Sequence, residues 1–323
     1  MDTKNLPLVS VLIPAYNHEK YIQQTINSII NQTYSNIELI ILDDGSKDKT
    51  WNKIIELKPN CEKRFANIHF ETKQNEGTCI TLNKLLEFAN GEFIYIIASD
   101  DLAKSKAIEK EVEFLLNNPE YALVVGDNEY IDSNDNQIFR TQKGFTSNIQ
   151  NAKYKTVKEF LSAKLRVDFL SNDFGSYKTL YKENYIPNGY LIKKDIFKTI
   201  GHFTKDAPLE DYWLMLQISK YKKLKFIDEV LFSYRIHDTN TIGNSTRMRY
   251  LTTQTRLFEQ SLLGKYLEQY KNNKLSQIYN NGICYFKTGI PNILMLYKYQ
   301  KINTRTTKVK LFNKTIYSTS KLF

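Results

Sequence analysis

Apolar residues in this chain form short continuous runs that alternate with helically spaced ones. Val9-Ser10-Val11-Leu12-Ile13-Pro14 is an apolar stretch closed by a breaker, the mark of a strand buried on both faces. From Glu19 to Thr33, Ile22, Ile26, Ile29 and Ile30 keep helical spacing. Ile37 to Leu42 repeats the strand pattern and ends in Asp43-Asp44-Gly45-Ser46, where Ser and Asp can start the next helix. The alternation continues with a strand at Asn67 to Glu71, a helix carrying Leu82, Leu85, Leu86 and Ala89, and a strand at Phe93 to Ala98. A helix with Ile108, Val112, Leu115 and Leu116 on one face then leads to a strand at Tyr121 to Val125. Strands alternating with helices predict an α/β fold with a mainly parallel central sheet flanked by helices.

The pattern weakens from about Asn128 to Glu183, a polar stretch that reads as an insertion or an acceptor-facing region. It resumes with a strand at Ile186 to Ile192, a short helix at Asp195 to Ile200, and a firmer helix at Pro208 to Tyr221 with Leu209, Trp213 and Leu216 on one side. Pro208 suits a first helical turn, and Leu224 to Tyr234 closes this part as a strand. Beyond Asn240 the chain reads as helices rich in Tyr, Leu and Lys, and no internal repeat is visible.

Charge sharpens that division. Residues 241–323 hold 14 Lys or Arg against 2 Glu, whereas residues 1–240 hold 31 basic and 33 acidic side chains, so the whole basic excess lies in the tail. Anionic membrane and nucleic acid both attract such a segment. With 41% hydrophobic residues the 323-residue chain can bury a sizeable core. Cys61, Cys79 and Cys284 share no zinc or disulfide spacing. Met1 to Asn5 lacks the features of a secretory leader, and no apolar run approaches the roughly 20 residues of a membrane span. These features predict a cytoplasmic protein, soluble or peripheral on the inner face of the membrane.

Ligands of open parallel sheets bind outside the carboxyl ends of the strands. Three such ends carry polar residues here: Pro14-Ala15-Tyr16-Asn17, Asp43-Asp44-Gly45-Ser46 and Ser99-Asp100-Asp101. Each alone is an ordinary turn or cap. Together they predict one crevice. A carboxylate at Asp43 or Asp44 can accept a base N–H while Tyr16 packs on the ring. A Mg²⁺ or Mn²⁺ on Asp101 would stabilise a departing diphosphate, with Asp100 taking ribose or sugar hydroxyls. No GxGxxG or GxxxxGKS loop occurs, which disfavours a dehydrogenase or an ATPase.

In order and spacing, Val9 to Asn17, Ser28 to Tyr34, Glu38 to Thr50 and Gly91 to Asp101 resemble the family 2 inverting glycosyltransferases of GT-A fold. The resemblance implies nucleotide contacts at Pro14, Tyr16 and Asp44, and a DxD-like site at Ser99-Asp100-Asp101 with Asp101 as metal ligand. Ser99 stands where the family usually has Asp. It further implies that Asp211, in Leu209-Glu210-Asp211-Tyr212-Trp213, is the general base with Glu210 in support; on the residues alone the pair equally suits a helix N-terminus. Tyr234 to Asn240 resembles the closing segment in which His237 approaches the metal and Arg235 lies nearby. Asn188 and Gly189 match an acceptor-facing region, although Pro-Asn-Gly is also an ordinary turn. Gly77 fits the stretch near the diphosphate. Residues 1–240 are thereby expected to form the transferase domain, with a nucleotide-binding half to about 127 and an acceptor-binding half from about 128. A basic helical extension over 241–323 completes the chain.

The implied activity is inverting transfer of a sugar from a UDP-linked donor to a hydroxyl of a surface glycan or lipid-linked oligosaccharide, such as an O-antigen or capsule unit. Aromatic rings beside cations in the tail, including Tyr297, Lys298, Tyr299, Lys301, Arg305, Lys308 and Lys310, fit an anionic leaflet, and equally a packed helical cap. A non-catalytic nucleotide-sugar-binding protein, a nucleotidyltransferase and a nucleic-acid-binding protein are the rival classes. The second lacks its Gly-rich basic loop, and the third lacks any RNP-like or helix-turn-helix signature, so no nucleic-acid partner is expected.

Overall fold

A computed structural model describes residues 6–238, 240, 245–269, 283–290, 293–301, 304–312 and 314–322. Met1 to Asn5, Thr239 and the side chains of Cys284, Tyr297, Lys298, Tyr299, Lys301 and Arg305 lie outside the described residues. In chain order the elements are β1 (Val9–Ala15), α1 (Ile22–Ile30), β2 (Ile37–Asp43), α2 (Thr50–Glu56), α3 (Lys58–Arg64), β3 (Asn67–Thr72), α4 (Thr78–Phe88) and β4 (Phe93–Ile96). There follow β5 (Leu102–Ala103), α5 (Ala107–Asn117), β6 (Tyr121–Ile131), β7 (Gln137–Arg140), β8 (Phe145–Thr146), α6 (Val157–Leu165), α7 (Tyr177–Leu180) and β9 (Tyr190–Lys193). The last are α8 (Phe197–Ile200), α9 (Glu210–Ser219), β10 (Lys223–Arg235), α10 (Ser245–Gln269), β11 (Ile283–Ile290), β12 (Leu294–Lys301), β13 (Thr304–Leu311) and β14 (Lys314–Leu322).

The central sheet runs β3-β2-β1-β4-β9-β6-β10-β5. β1 to β4 are mutually parallel, β9 is antiparallel to both neighbours, and β10 is parallel to β6. Two reversals across β9 return β6 and β10 to the direction of β1. The carboxyl ends of β1, β2, β4, β6 and β10 therefore open on one edge. Alternation along the strands separates two cores. Val9, Val11, Ile13, Leu39 and Ile41 meet Ile22, Ile26 and Ile29 of α1 and Ile108, Val112 and Leu115 of α5 on one face. Leu12, Ile40 and Leu42 meet Leu82, Leu85 and Leu86 of α4 and much of α9 on the other.

Three sequence expectations change. The strand expected at Ile186 to Ile192 starts only at Tyr190, because Gly189 takes φ +73° and turns the chain into it. The helix expected to show one apolar side, α9, is buried from Tyr212 through Ile218, since the sheet covers one side and α10 the other. The extension is not helical throughout: α10 is followed by an antiparallel sheet, β11-β12-β13-β14. Thr304-Arg305-Thr306-Thr307-Lys308-Val309-Lys310 is dense in β-branched residues that lose rotamer freedom in a helix but suit a pleated strand. No helix among the described residues is long and apolar enough to cross a membrane.

Candidate active site

The loop after β1 is tied down residue by residue. Asn17 takes a left-handed φ of +53°, its N–H donates to Ser46 Oγ (2.8 Å) and its side chain accepts from Lys47 N (2.8 Å). His18 N donates to Thr50 Oγ1 (2.8 Å) and Glu19 N to Asp48 (3.0 Å). Pro14 and the buried Ala15 end the strand, and Ala15 O accepts Asp44 N (2.8 Å). Tyr16, directly after β1, is left 43% exposed.

Of the two carboxylates that end β2, Asp43 is spent on its own turn, accepting from Ser46 Oγ (2.5 Å) and Thr72 Oγ1 (2.8 Å). Asp44 accepts from Glu76 N and Gly77 N (both 2.9 Å) and pairs with Lys73. Its burial would raise its pKa, but Lys73 and the two N–H groups outweigh that and hold it below the ordinary carboxylate value. Asp44 thus anchors the 73–77 loop, which passes so close over Gly45 that a Cβ there would meet Asn75 N at 2.8 Å.

After β4 the neighbours Asp100 and Asp101 point to different surroundings. Asp101, 1% exposed, accepts Arg235 N on Oδ1 (2.8 Å) and takes a bond from the Asn188 side chain. Burial and the adjacent Asp100 charge push its pKa well above the usual range. It is Asp100 that meets the imidazoles: Oδ2 lies 3.0 Å from His237 Nε2 and 3.7 Å from His18 Nε2. Asp101, expected from the sequence to hold the metal, is not part of the one three-ligand group found among the described residues. That group is His18, Asp100 and His237, whose ligand atoms lie within 4.8 Å of one another. Ligands about 2.1 Å from one ion of this class sit roughly 3 Å apart when cis and about 4 Å when trans, so a slight closing of the group would suit a divalent cation with mixed nitrogen and oxygen donors. His18 Nδ1 is engaged with Ser99 Oγ (2.7 Å), which leaves Nε2 facing Asp100. Burial lowers the His18 pKa further than the nearby Asp100 raises it, favouring the neutral ring a metal needs. His18 escaped the sequence reading; its place in the loop directly after β1 was the signal available.

Arg235 is fully buried and committed to protein. Its Nε donates to Asp100 O (2.6 Å), its NH1 to Asp132 O (2.9 Å), its NH2 pairs with Asp135 (2.5 Å), and its guanidinium lies 4.8 Å from the Tyr21 ring centroid. That ring is in turn 4.8 Å from His237, so Arg235 sets the Asp100 backbone and backs the cluster. Asn188 N and O pair with the Asn128 amide (3.1 and 3.2 Å). Gly189 packs so tightly that a Cβ would meet Phe232 Cδ2 at 2.0 Å. Both build the floor under Asp101.

α9 ends three residues before β10 begins, so its first turn lies at the same sheet edge as the strand ends. That turn carries Glu210 and Asp211. Asp211 accepts Tyr212 N on Oδ1 (2.5 Å) and Asn184 Nδ2 on Oδ2 (3.1 Å). Burial raises its pKa, and these bonds pull it only partly back. Burial and then the Asp211 charge push Glu210 up to about 7. Burial first, and then the charges of Asp101, Asp100 and Asp211, raise the pKa of the Tyr234 phenol.

A buried carboxylate with two imidazoles at the strand ends, and a second carboxylate of raised pKa at the start of α9, suit activation of one substrate and deprotonation of another. The pattern described for glycosyl transferase family 2 matches residues 10–179, just over half of the chain. The chain belongs to that family. Over 239 residues this glycosyltransferase is 32% identical to an uncharacterized glycosyltransferase of Haemophilus influenzae, covering 74% of this chain and 68% of the relative. It is 33% identical over 127 residues to the Escherichia coli UDP-Glc:α-D-GlcNAc-diphosphoundecaprenol β-1,3-glucosyltransferase WfgD, covering 39% of this chain and about half (48%) of that relative. Among solved structures, its fold is similar to a Pyrobaculum calidifontis mannosyltransferase in complex with GDP-Man and Mn²⁺, with a TM-score of 0.55, 16% identity, and 84% and 67% of the two chains covered. It is likewise similar to S. aureus TarS 1–349 in complex with UDP-GlcNAc, with a TM-score of 0.50, 17% identity, and 84% and 75% covered. Both likenesses establish the GT-A-type fold of this glycosyltransferase.

Proposed function

We propose that this glycosyltransferase inverts the anomeric centre of a nucleotide sugar, UDP-linked, as it passes the sugar to a hydroxyl of a glycan or lipid-linked oligosaccharide in polysaccharide synthesis. The observation that carries the reading is the His18, Asp100 and His237 group at the strand ends, together with Asp211, a buried carboxylate of raised pKa in the first turn of α9. Residues to about 127 form the nucleotide-binding half, with Tyr16 stacking on the base and Asp44 and Gly77 shaping the loop beside it. Residues from about 128 to 240 form the acceptor-binding half. His18, Asp100 and His237 would hold Mn²⁺ or Mg²⁺, which when bound neutralises charge on the leaving diphosphate. Asp211 takes the proton of the acceptor hydroxyl as that oxygen attacks, with Glu210 beside it in support. A single displacement inverts the centre. The names of WfgD and TarS support a UDP donor, and that of WfgD a lipid-diphosphate acceptor. The excess of basic over acidic residues in 241–323 supports contact with an anionic membrane that would present such an acceptor.

A donor screen followed by release of nucleoside diphosphate, with Mn²⁺ and then with chelator, tests the reading. One donor is expected to be consumed above the rest, and chelator to stop it. Asp211→Asn is expected to keep UDP binding and lose transfer. Binding without turnover of any donor or acceptor would favour the non-catalytic rival instead.

A further inference from the structure

We infer that α10, the first helix of the basic extension, belongs to the catalytic apparatus: Arg256 and Thr255 are positioning residues that hold Asp211. The inference rests on Asp211 being the base. α9 has no capping side chain of its own at Leu209, and the need is met from α10, where the fully buried Thr255 accepts Leu209 N on Oγ1 (3.0 Å). Arg256, one residue on, donates through NH2 to Lys182 O, lies 3.4 Å from Glu183, and donates through Nε to the Tyr212 hydroxyl (3.1 Å). The segment it grips leads directly to Asn184, whose amide holds Asp211 Oδ2. Asp211 thus lies between Tyr212 and Asn184, and Arg256 holds the Tyr212 side chain and the two residues just before Asn184.

α10 does not need Arg256 in order to dock. The fully buried Glu259 accepts from Tyr177 Oη and Gln217 Nε2 (both 2.7 Å) and pairs with Lys220 (2.7 Å), and Phe258 packs on Trp213 with ring centroids 5.3 Å apart. The Glu259 anchors fall on α7 and the far end of α9, away from the catalytic turn, and Trp213 adds an apolar contact nearer to it. The guanidinium is therefore available for a separate task, and a planar fork that grips a carbonyl, a carboxylate and a hydroxyl suits it.

The experiment measures kcat/KM against pH, together with UDP affinity, for Arg256→Ala, Arg256→Lys, Asn184→Ala and the Arg256→Ala/Asn184→Ala double variant of the full chain. An amide donor favours the charged carboxylate, so its loss moves the acid limb of the profile to higher pH. The titratable neighbours of the Glu210–Asp211 pair are Tyr190 of β9, Tyr234 of β10 and Cys79 of α4, with Lys205 beyond Cys79. Burial holds the two phenols and the thiol above their ordinary values, so they stay neutral through that limb. Each alanine variant is expected to lose about 10-fold in kcat/KM or more with an upward-shifted limb and unchanged UDP affinity, and the double variant to be little worse than either. Additive losses, or a loss with the limb unmoved, would overturn the inference and leave α10 a packing element. Arg256→Lys and Asn184→Ala carry the test should Arg256→Ala fail to fold. Asp211→Asn, measured alongside, separates the two failures: if it still transfers, the base assignment falls first.

Discussion

Replacing Glu210 with Gln is expected to stabilise the ligand-free protein, and to do so chiefly at neutral and alkaline pH. Burial and the neighbouring Asp211 charge lift the Glu210 carboxyl from 4.5 to about 7 in the folded chain. A shift of that size is worth roughly 3 kcal/mol, at about 1.4 kcal/mol per unit. The folded value lies above the unfolded one, so the folded state binds the proton more tightly. Stability is then fully present below the ordinary carboxylate value and is lost as pH rises towards the folded one. Glutamine fills the same space, carries no charge, and escapes that loss. The advantage of Gln works out at roughly 1 kcal/mol at pH 5 and about 3 kcal/mol at pH 8. In a chain of this size that is a Tm gain of ~1.5 °C at pH 5, growing to roughly 4–5 °C at pH 8. Differential scanning fluorimetry of the two proteins at both pH values measures it. An equal Tm difference at both pH values, or a less stable variant at pH 8, would show that Glu210 is not held protonated by its surroundings. The physical content is that this turn stores an unfavourable charge pair, a cost that a proton-accepting site carries and a purely structural helix start would not.

Three further outcomes are expected. Transfer, measured as kcat/KM, should rise with pH through a limb above the ordinary carboxylate range, because Asp211 acts deprotonated and its burial raises its pKa; a limb near pH 4 would contradict this. Ser99→Ala removes the partner of His18 Nδ1 and should weaken Mn²⁺-dependent UDP binding by roughly 10-fold in a calorimetric titration, with little change in Tm. Gly189→Ala combines φ +73° with a 2.0 Å approach to Phe232 and should cost about 3 kcal/mol in denaturant unfolding.

Short-range pattern decided much of this protein. The isoleucines of α1 at i, i+4 and i+7, and the largely apolar runs of β1 and β2, broken only by Ser10 and Glu38 before the terminal Asp43 of β2, point to strands buried on both faces with a helix packed on them. The carboxylates had to gather at one edge because parallel strands share a direction. What residue order left open was which atom faces which. Asp100 and Asp101 are adjacent and chemically alike, yet one meets two imidazoles and the other a backbone N–H of β10, a choice made by strands far away in sequence. His18 joins the cluster only because the 17–19 loop is tied to 46–50. In the same way, α9 lost its exposed side when α10 covered it. Local periodicity reports where a side chain sits on its own element, whereas burial and partnership depend on what packs against that element, and only the tertiary structure supplies it.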